Sequence, residues 1–355
     1  MITIGRLVYK ASGIMSKKGI VKNSEKIGRK LADEIKTGEG KVKIDRIFEL
    51  LERTIGKKKA SNIIITDDFE TFRDFARKNC KMSDDVIEDT FKHSLSLVMP
   101  PGKNGKTLLS LRTSNTPTTE SLNITAHELE HVLYNNVSFS AKISRFIIKN
   151  MSDKKYESFL NSTTNIFTET MTDFQLELLK LCKIEKSASY GITEHKAGME
   201  GLLKQTGCKN KEELHDKIRT IIRQDVLLPR CNIQNFSLLK VIRDGLQDEI
   251  RAYKVGGAVQ RYVEPSETLT KSEMFARLCE EAANVLKAEL KNQKKNIWRM
   301  ILRKPPVDYH IPKPIEFERE TSYVLPFINV KQSGQKIDTI LENNSKTRKK
   351  FVGFS

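Results

Sequence analysis

The chain has five cysteines, one tryptophan and no long apolar run. The cysteines (Cys80, Cys182, Cys208, Cys231 and Cys279) are odd in number and far apart. No two of them form a CxxC pair, so neither a cysteine zinc site nor a redox dithiol is indicated. That usage fits a reducing compartment. Nowhere do about 18 apolar residues run together, so no transmembrane helix is expected. The first residues, MITIGRLVYKASGIMSKKG, have their apolar stretch broken by Arg6 and Lys10, and no signal-peptide core forms. The expected location is the cytoplasm. Also missing are internal repeats, low-complexity tracts, a Gly-rich phosphate loop and any local pattern for a serine, cysteine or aspartate nucleophile.

What the chain does have is an ordinary globular composition, 38% hydrophobic and 30% charged over 355 residues. That length holds one large core or two modest ones. The net charge of +17 is mostly lysine spread along the chain, which reads as a solvated surface. An acidic partner such as nucleic acid or an anionic membrane face is the alternative, as a weak polyanion contact.

Ile44, Ile47, Phe48, Leu51 and Ile55 recur at helical spacing within a basic N-terminal helical segment, residues 1–60. Three short strands are expected at 61–66 (SNIIIT), 94–99 (SLSLVM) and 107–113 (TLLSLRT). The last two are joined by a Pro- and Gly-containing loop, as in a hairpin. From Thr118 the pattern is helical almost to the end, with a helix through Leu133 and long helices over 154–183, 236–262 and 271 to about 302. Pro305, Pro306, Pro312 and Pro314 then interrupt regular structure. The basic tail, 336–355, is expected to be disordered. This is an α+β chain: a small sheet packed on one helix, then a mostly helical second half.

That helix reads Ile124-Thr125-Ala126-His127-Glu128-Leu129-Glu130-His131-Val132-Leu133. Histidines four apart share one helix face, so His127 and His131 can reach a single ion. Glu128, beside the first histidine, can approach a water on that ion and take its proton. Val132 and Leu133 are the apolar flank of a helix buried against a sheet.

These residues form the HExxH pattern, and the chain resembles the zincin metallopeptidases. Thr125, two before the first histidine, suits that likeness, whereas the charged Glu130 departs from it. Glu130 either points to solvent or supports a ligand. The resemblance implies a zincin-like domain over 61–262, one Zn2+, a protein or peptide substrate and Glu128 as general base. Residues 263–335 would form a C-terminal helix and Pro-rich segment.

Zinc in a hydrolytic site takes three protein ligands. Positions 134 and 137 are Tyr and Val, so no third histidine follows in the extended motif. Resemblance to the gluzincin branch points to a later glutamate. Glu249 is the first candidate, because a carboxylate in an apolar, glycine-dotted stripe is costly unless paired or metal-bound. Small residues at 245, 252 and 256 would let its helix approach the metal helix. Tyr253 would then face a developing oxyanion. Glu169, in a Glu-x-x-x-Asp pattern with Asp173, is the alternative third ligand. His93, His195, His215 and His310 read as surface or packing residues.

Residues 291–304, KNQKKNIWRMILRK, carry six basic and no acidic residues interleaved with Ile297, Trp298, Ile301 and Leu302. Such a helix either meets an anionic membrane face or nucleic acid, or packs its apolar side on the core.

Overall fold

The three apolar runs pair into one sheet in the computed structural model, which describes residues 16–36, 43–99, 101–112, 118–160, 165–184, 191–223 and 233–302. Strands β1 (Ile63–Thr66), β2 (Ser96–Met99) and β3 (Thr107–Leu111) lie in the order β1-β3-β2. β1 is parallel to β3, with Ile64 opposite Leu108. β2 is antiparallel to β3, with Val98 opposite Leu109, as the expected hairpin requires. All five residues of β3 are buried. Successive side chains point to opposite faces of a strand, so Leu108 joins Phe72, Phe75, Ile87 and Met99 on one face. Leu109 and Leu111 join the other core, with Leu129 and Leu133.

Before the sheet come α1 (Lys17–Lys36), α2 (Ile44–Ile55) and the single turn α3 (Lys57–Ala60). Between β1 and β2 lie α4 (Phe69–Phe75), continued by a π-helical turn over Ala76–Cys80, and α5 (Asp84–His93). The metal helix is α6 (Thr118–Val137). Its buried Leu122, Ala126, Leu129, Leu133 and Val137 recur every three or four residues and bind it to the sheet and to α1. Helices α7 (Phe139–Asn150), α8 (Asp153–Phe159) and α9 (Asn165–Leu181) follow. The single helix expected over 154–183 is thus two described helices, with residues 161–164 outside the described residues.

Strand β4 (Ile192–Lys196), α10 (Met199–Thr206), α11 (Lys211–Ile221), α12 (Ile233–Val263), β5 (Thr268–Thr270) and α13 (Lys271–Ile301) complete the chain. β4 and β5 pair antiparallel into a second sheet that breaks the expected run of helices. β5 has only three residues, and β4 (ITEHK) is polar apart from Ile192, so neither shows an apolar run in sequence. Thr193 instead fixes the pairing, its hydroxyl donating to the Leu269 carbonyl at 2.9 Å. Thr270 and Glu273 then form a capping box: Glu273 N–H donates to Thr270 Oγ1 at 3.1 Å and Thr270 N–H to Glu273 Oε2 at 2.9 Å. Together these start α13 at Lys271.

The chain is mostly helical with a small sheet, compatible with α+β. α12 runs antiparallel to α6, since Asn123 meets Gln260 while Glu130 meets Arg251. The approach is close at Gly256, where a Cβ would sit 2.9 Å from the backbone oxygen of Asn123. At Gly28 on α1 a Cβ would lie 2.5 Å from Val259 Cγ2 and 3.2 Å from Ala126 Cβ. Three helices therefore meet at nearly backbone distance, and α1 and α12 share one core with the metal helix. A second core joins Phe174, Leu214, Leu246, Phe275, Leu278 and Leu286 from α9, α11, α12 and α13. No described helix is long and apolar enough to cross a membrane. Residues 303–355, with His310, the four prolines and the basic tail, lie outside the described residues.

Candidate metal centre

On α6, one helical turn separates His127 from His131, and their ring centroids are 5.0 Å apart. α12 brings Glu249 to the same point. His127 Nε2 lies 3.6 Å from Glu249 Oε2, and His131 Nε2 lies 3.5 Å from Glu249 Oε1. One donor atom from each of the three residues falls within 4.8 Å of the other two. Among the described residues, they form the one such group of histidines, cysteines and carboxylates. The spacing tests the fit to an ion. Donors set tetrahedrally at about 2.1 Å from one zinc lie roughly 3.4 Å apart. A charge-assisted hydrogen bond would draw N and O to about 2.7–2.9 Å. The observed separations match donors arranged around an ion better than they match a directly bonded pair.

Burial and mutual charge set the protonation of the ion-free triad. His127 is pushed down to about 3, first by burial and then by the charge on His131. For His131 burial also opposes charge, but the Glu249 carboxylate outweighs it and holds the imidazole up at about 10. Burial raises Glu249, whereas the His131 charge, His127 and a hydrogen bond from Gln175 bring it down to about 2. Without an ion, the site is therefore a buried His131–Glu249 ion pair beside a neutral His127.

The surroundings orient each donor. The His127 ring meets the Tyr253 ring edge-on at 4.5 Å, and Tyr253 meets Phe275 in the same way at 4.9 Å. His127 Nδ1 is buried with no protein partner, so packing rather than a second-nitrogen hydrogen bond fixes this ring. Gln175 reaches Glu249 from α9. Glu169, the alternative third ligand, is on that same helix, and its side chain lies outside the described residues.

Glu128 turns toward the sheet. Its Oε1 accepts from the Ser96 hydroxyl on β2 at 3.0 Å. Burial pushes its carboxyl above the usual range, with the Ser96 hydrogen bond acting the other way. Such a carboxyl is more basic than an exposed glutamate, as proton transfer from a metal-bound water requires.

Glu130 does not point to solvent: it is fully buried. Its Oε1 accepts from Arg251 Nε at 2.8 Å. Arg251 also donates to Asp248 Oδ1 at 2.6 Å and lies over the Tyr134 ring at 4.1 Å. The charge that departs from the zincin pattern thus ties the histidine helix to a residue two positions past Glu249.

Sequence reasoning assigned no role to Ser96, Gln175 or Arg251. Their sequence distance from the motif conceals them, although Glu130 in an apolar helix does call for a cation. Of the remaining histidines, His93 lies 3.5 Å from Asp89, and His215 lies 2.6 Å from Glu281. Neither they nor His195 join the triad. No family model, curated protein or solved structure matches this chain.

Proposed function

We propose that this chain is a zinc-dependent peptidase of the zincin type. The observation that carries the proposal is the convergence of His127 Nε2, His131 Nε2 and a Glu249 carboxylate oxygen beside Glu128. Two imidazoles and one carboxylate form a hydrolytic zinc set that leaves a coordination position open. Zinc bound there would lower the pKa of a water toward 7 and polarise a peptide carbonyl. Glu128 takes the water's proton on the oxygen that Ser96 leaves free and returns it to the leaving amine. Structural zinc has no use for such a base. Tyr253 seats the His127 ring. We assign its hydroxyl the oxyanion contact.

The test is hydrolysis of a peptide library and of an unfolded protein by the zinc-loaded chain. Activity should disappear on chelation, return with zinc and be lost in Glu128→Gln with metal retained. A loaded wild type that cleaves nothing Glu128→Gln fails to cleave removes the peptidase reading. Tyr253→Phe keeps the ring packing, so reduced turnover at unchanged metal affinity would support the hydroxyl's role.

A further inference from the structure

We infer that the C-terminal part of α13 is a docking face for an anionic membrane surface. At 3.6 residues per turn, Lys291, Lys294, Lys295, Trp298, Ile301 and Leu302 fall within an arc of about 120°. All six are exposed, and Trp298, Ile301 and Leu302 keep 58%, 60% and 60% of their surface. The opposite side of the helix is the one that packs: Glu289, Gln293 and Asn296 are buried. Trp298, Ile301 and Leu302 therefore do not serve the core.

The chemistry of the face selects its occupant. Three lysines lie beside an apolar tip, with no acidic residue from Leu290 to Leu302. Lysines attract anionic headgroups, while tryptophan and large aliphatic side chains enter the headgroup–acyl boundary. Nucleic acid would use the lysines but leave Ile301 and Leu302 without a role. A second copy of a chain carrying +17 would bring like charge to a lysine-bordered face.

Trp298 is the sole tryptophan, so its emission reports directly on this face. The full chain is titrated with vesicles of phosphatidylcholine, alone or mixed with phosphatidylserine, and binding is also read by co-sedimentation. The mixed vesicles should shift the emission to the blue and pellet the protein, whereas phosphatidylcholine alone should do neither. Changing Lys291, Lys294 and Lys295 to Gln should weaken binding about a hundredfold, at roughly fivefold per lysine. Ile301→Ser with Leu302→Ser keeps the reporter and should weaken binding by about tenfold or more. These positions are exposed, so the fold survives the changes. The proposal is overturned by unchanged emission and no pelleting, or by vesicle binding that persists in the Ile301→Ser/Leu302→Ser chain. It is equally overturned if duplex DNA or RNA binds while vesicles do not, or if this face drives dimerisation without lipid.

Discussion

Arg251 Nε donates to Glu130 Oε1 across 2.8 Å, joining the helix that carries both histidines to the helix that carries Glu249. Glu130 is fully buried and the Arg251 side chain is 12% exposed, so neither charge has water to fall back on. Arg251 holds its position by spanning Glu130, Asp248 and the Tyr134 ring. The pair sets the register in which Glu249 faces His127 and His131.

Removing one partner should therefore cost more than removing both. Arg251→Met leaves Glu130 buried and unpaired and is expected to destabilise the chain by about 3–5 kcal/mol. Glu130→Leu/Arg251→Met should recover much of that in a thermal melt. Its metal affinity, measured by competition with a chelator, should still fall about tenfold or more, since the register is no longer fixed. Equal destabilisation by the single and double variants would argue against a buried pair.

Gly256→Ala tests how close α6 and α12 must run. A Cβ there meets both the backbone oxygen and the side chain of Asn123. The expected loss is about 1–3 kcal/mol, together with weaker metal binding as the helices move apart. A melting temperature and affinity equal to wild type would show that the approach is not needed.

Acid and base should destabilise the chelated protein for different reasons. His131 is held up at about 10, so its contribution is complete below 6.5 and is lost as pH rises toward 10. Glu249 is held down at about 2, so its contribution is complete above 4.5 and is lost as pH falls toward 2. His127 is pushed down to about 3: below 6.5 the unfolded chain binds a proton that the folded chain refuses. Stability then falls on acidification, by up to roughly 1.4 kcal/mol per pH unit from this group. For these three groups together, stability should be greatest near pH 6.5. Melting of His127→Phe, which keeps an aromatic ring against Tyr253, should decline less than wild type between 6.5 and about 4. Parallel declines would contradict this assignment.

Much of this was legible in the sequence because it is periodic or short-range. His127 and His131 at four-residue spacing give the shared helix face. The apolar runs at 61–66, 94–99 and 107–113 give the three strands of the main sheet. Glu249 was legible from the cost of burying a carboxylate in an apolar stripe, and Gly256, two turns further along the same helix, from the close approach it permits. The rest depends on partners distant in sequence. Arg251 is 121 positions from Glu130, and Ser96 is 32 from Glu128. β5 is three residues long and pairs with a strand more than 70 residues earlier, so no local pattern marks it. The helix expected over 154–183 read as continuous because its composition stays helical through 160, where the regular helix ends.

Metal analysis of purified chains tests the central claim most directly. Wild type grown with zinc, or stripped and then given zinc, should hold one ion per chain. His127→Ala and His131→Ala should hold none, and Glu249→Gln should bind about 10–100-fold more weakly. Wild type that carries no zinc and takes none up contradicts the account, and Glu249→Gln affinity equal to wild type would remove Glu249 from the ligand set.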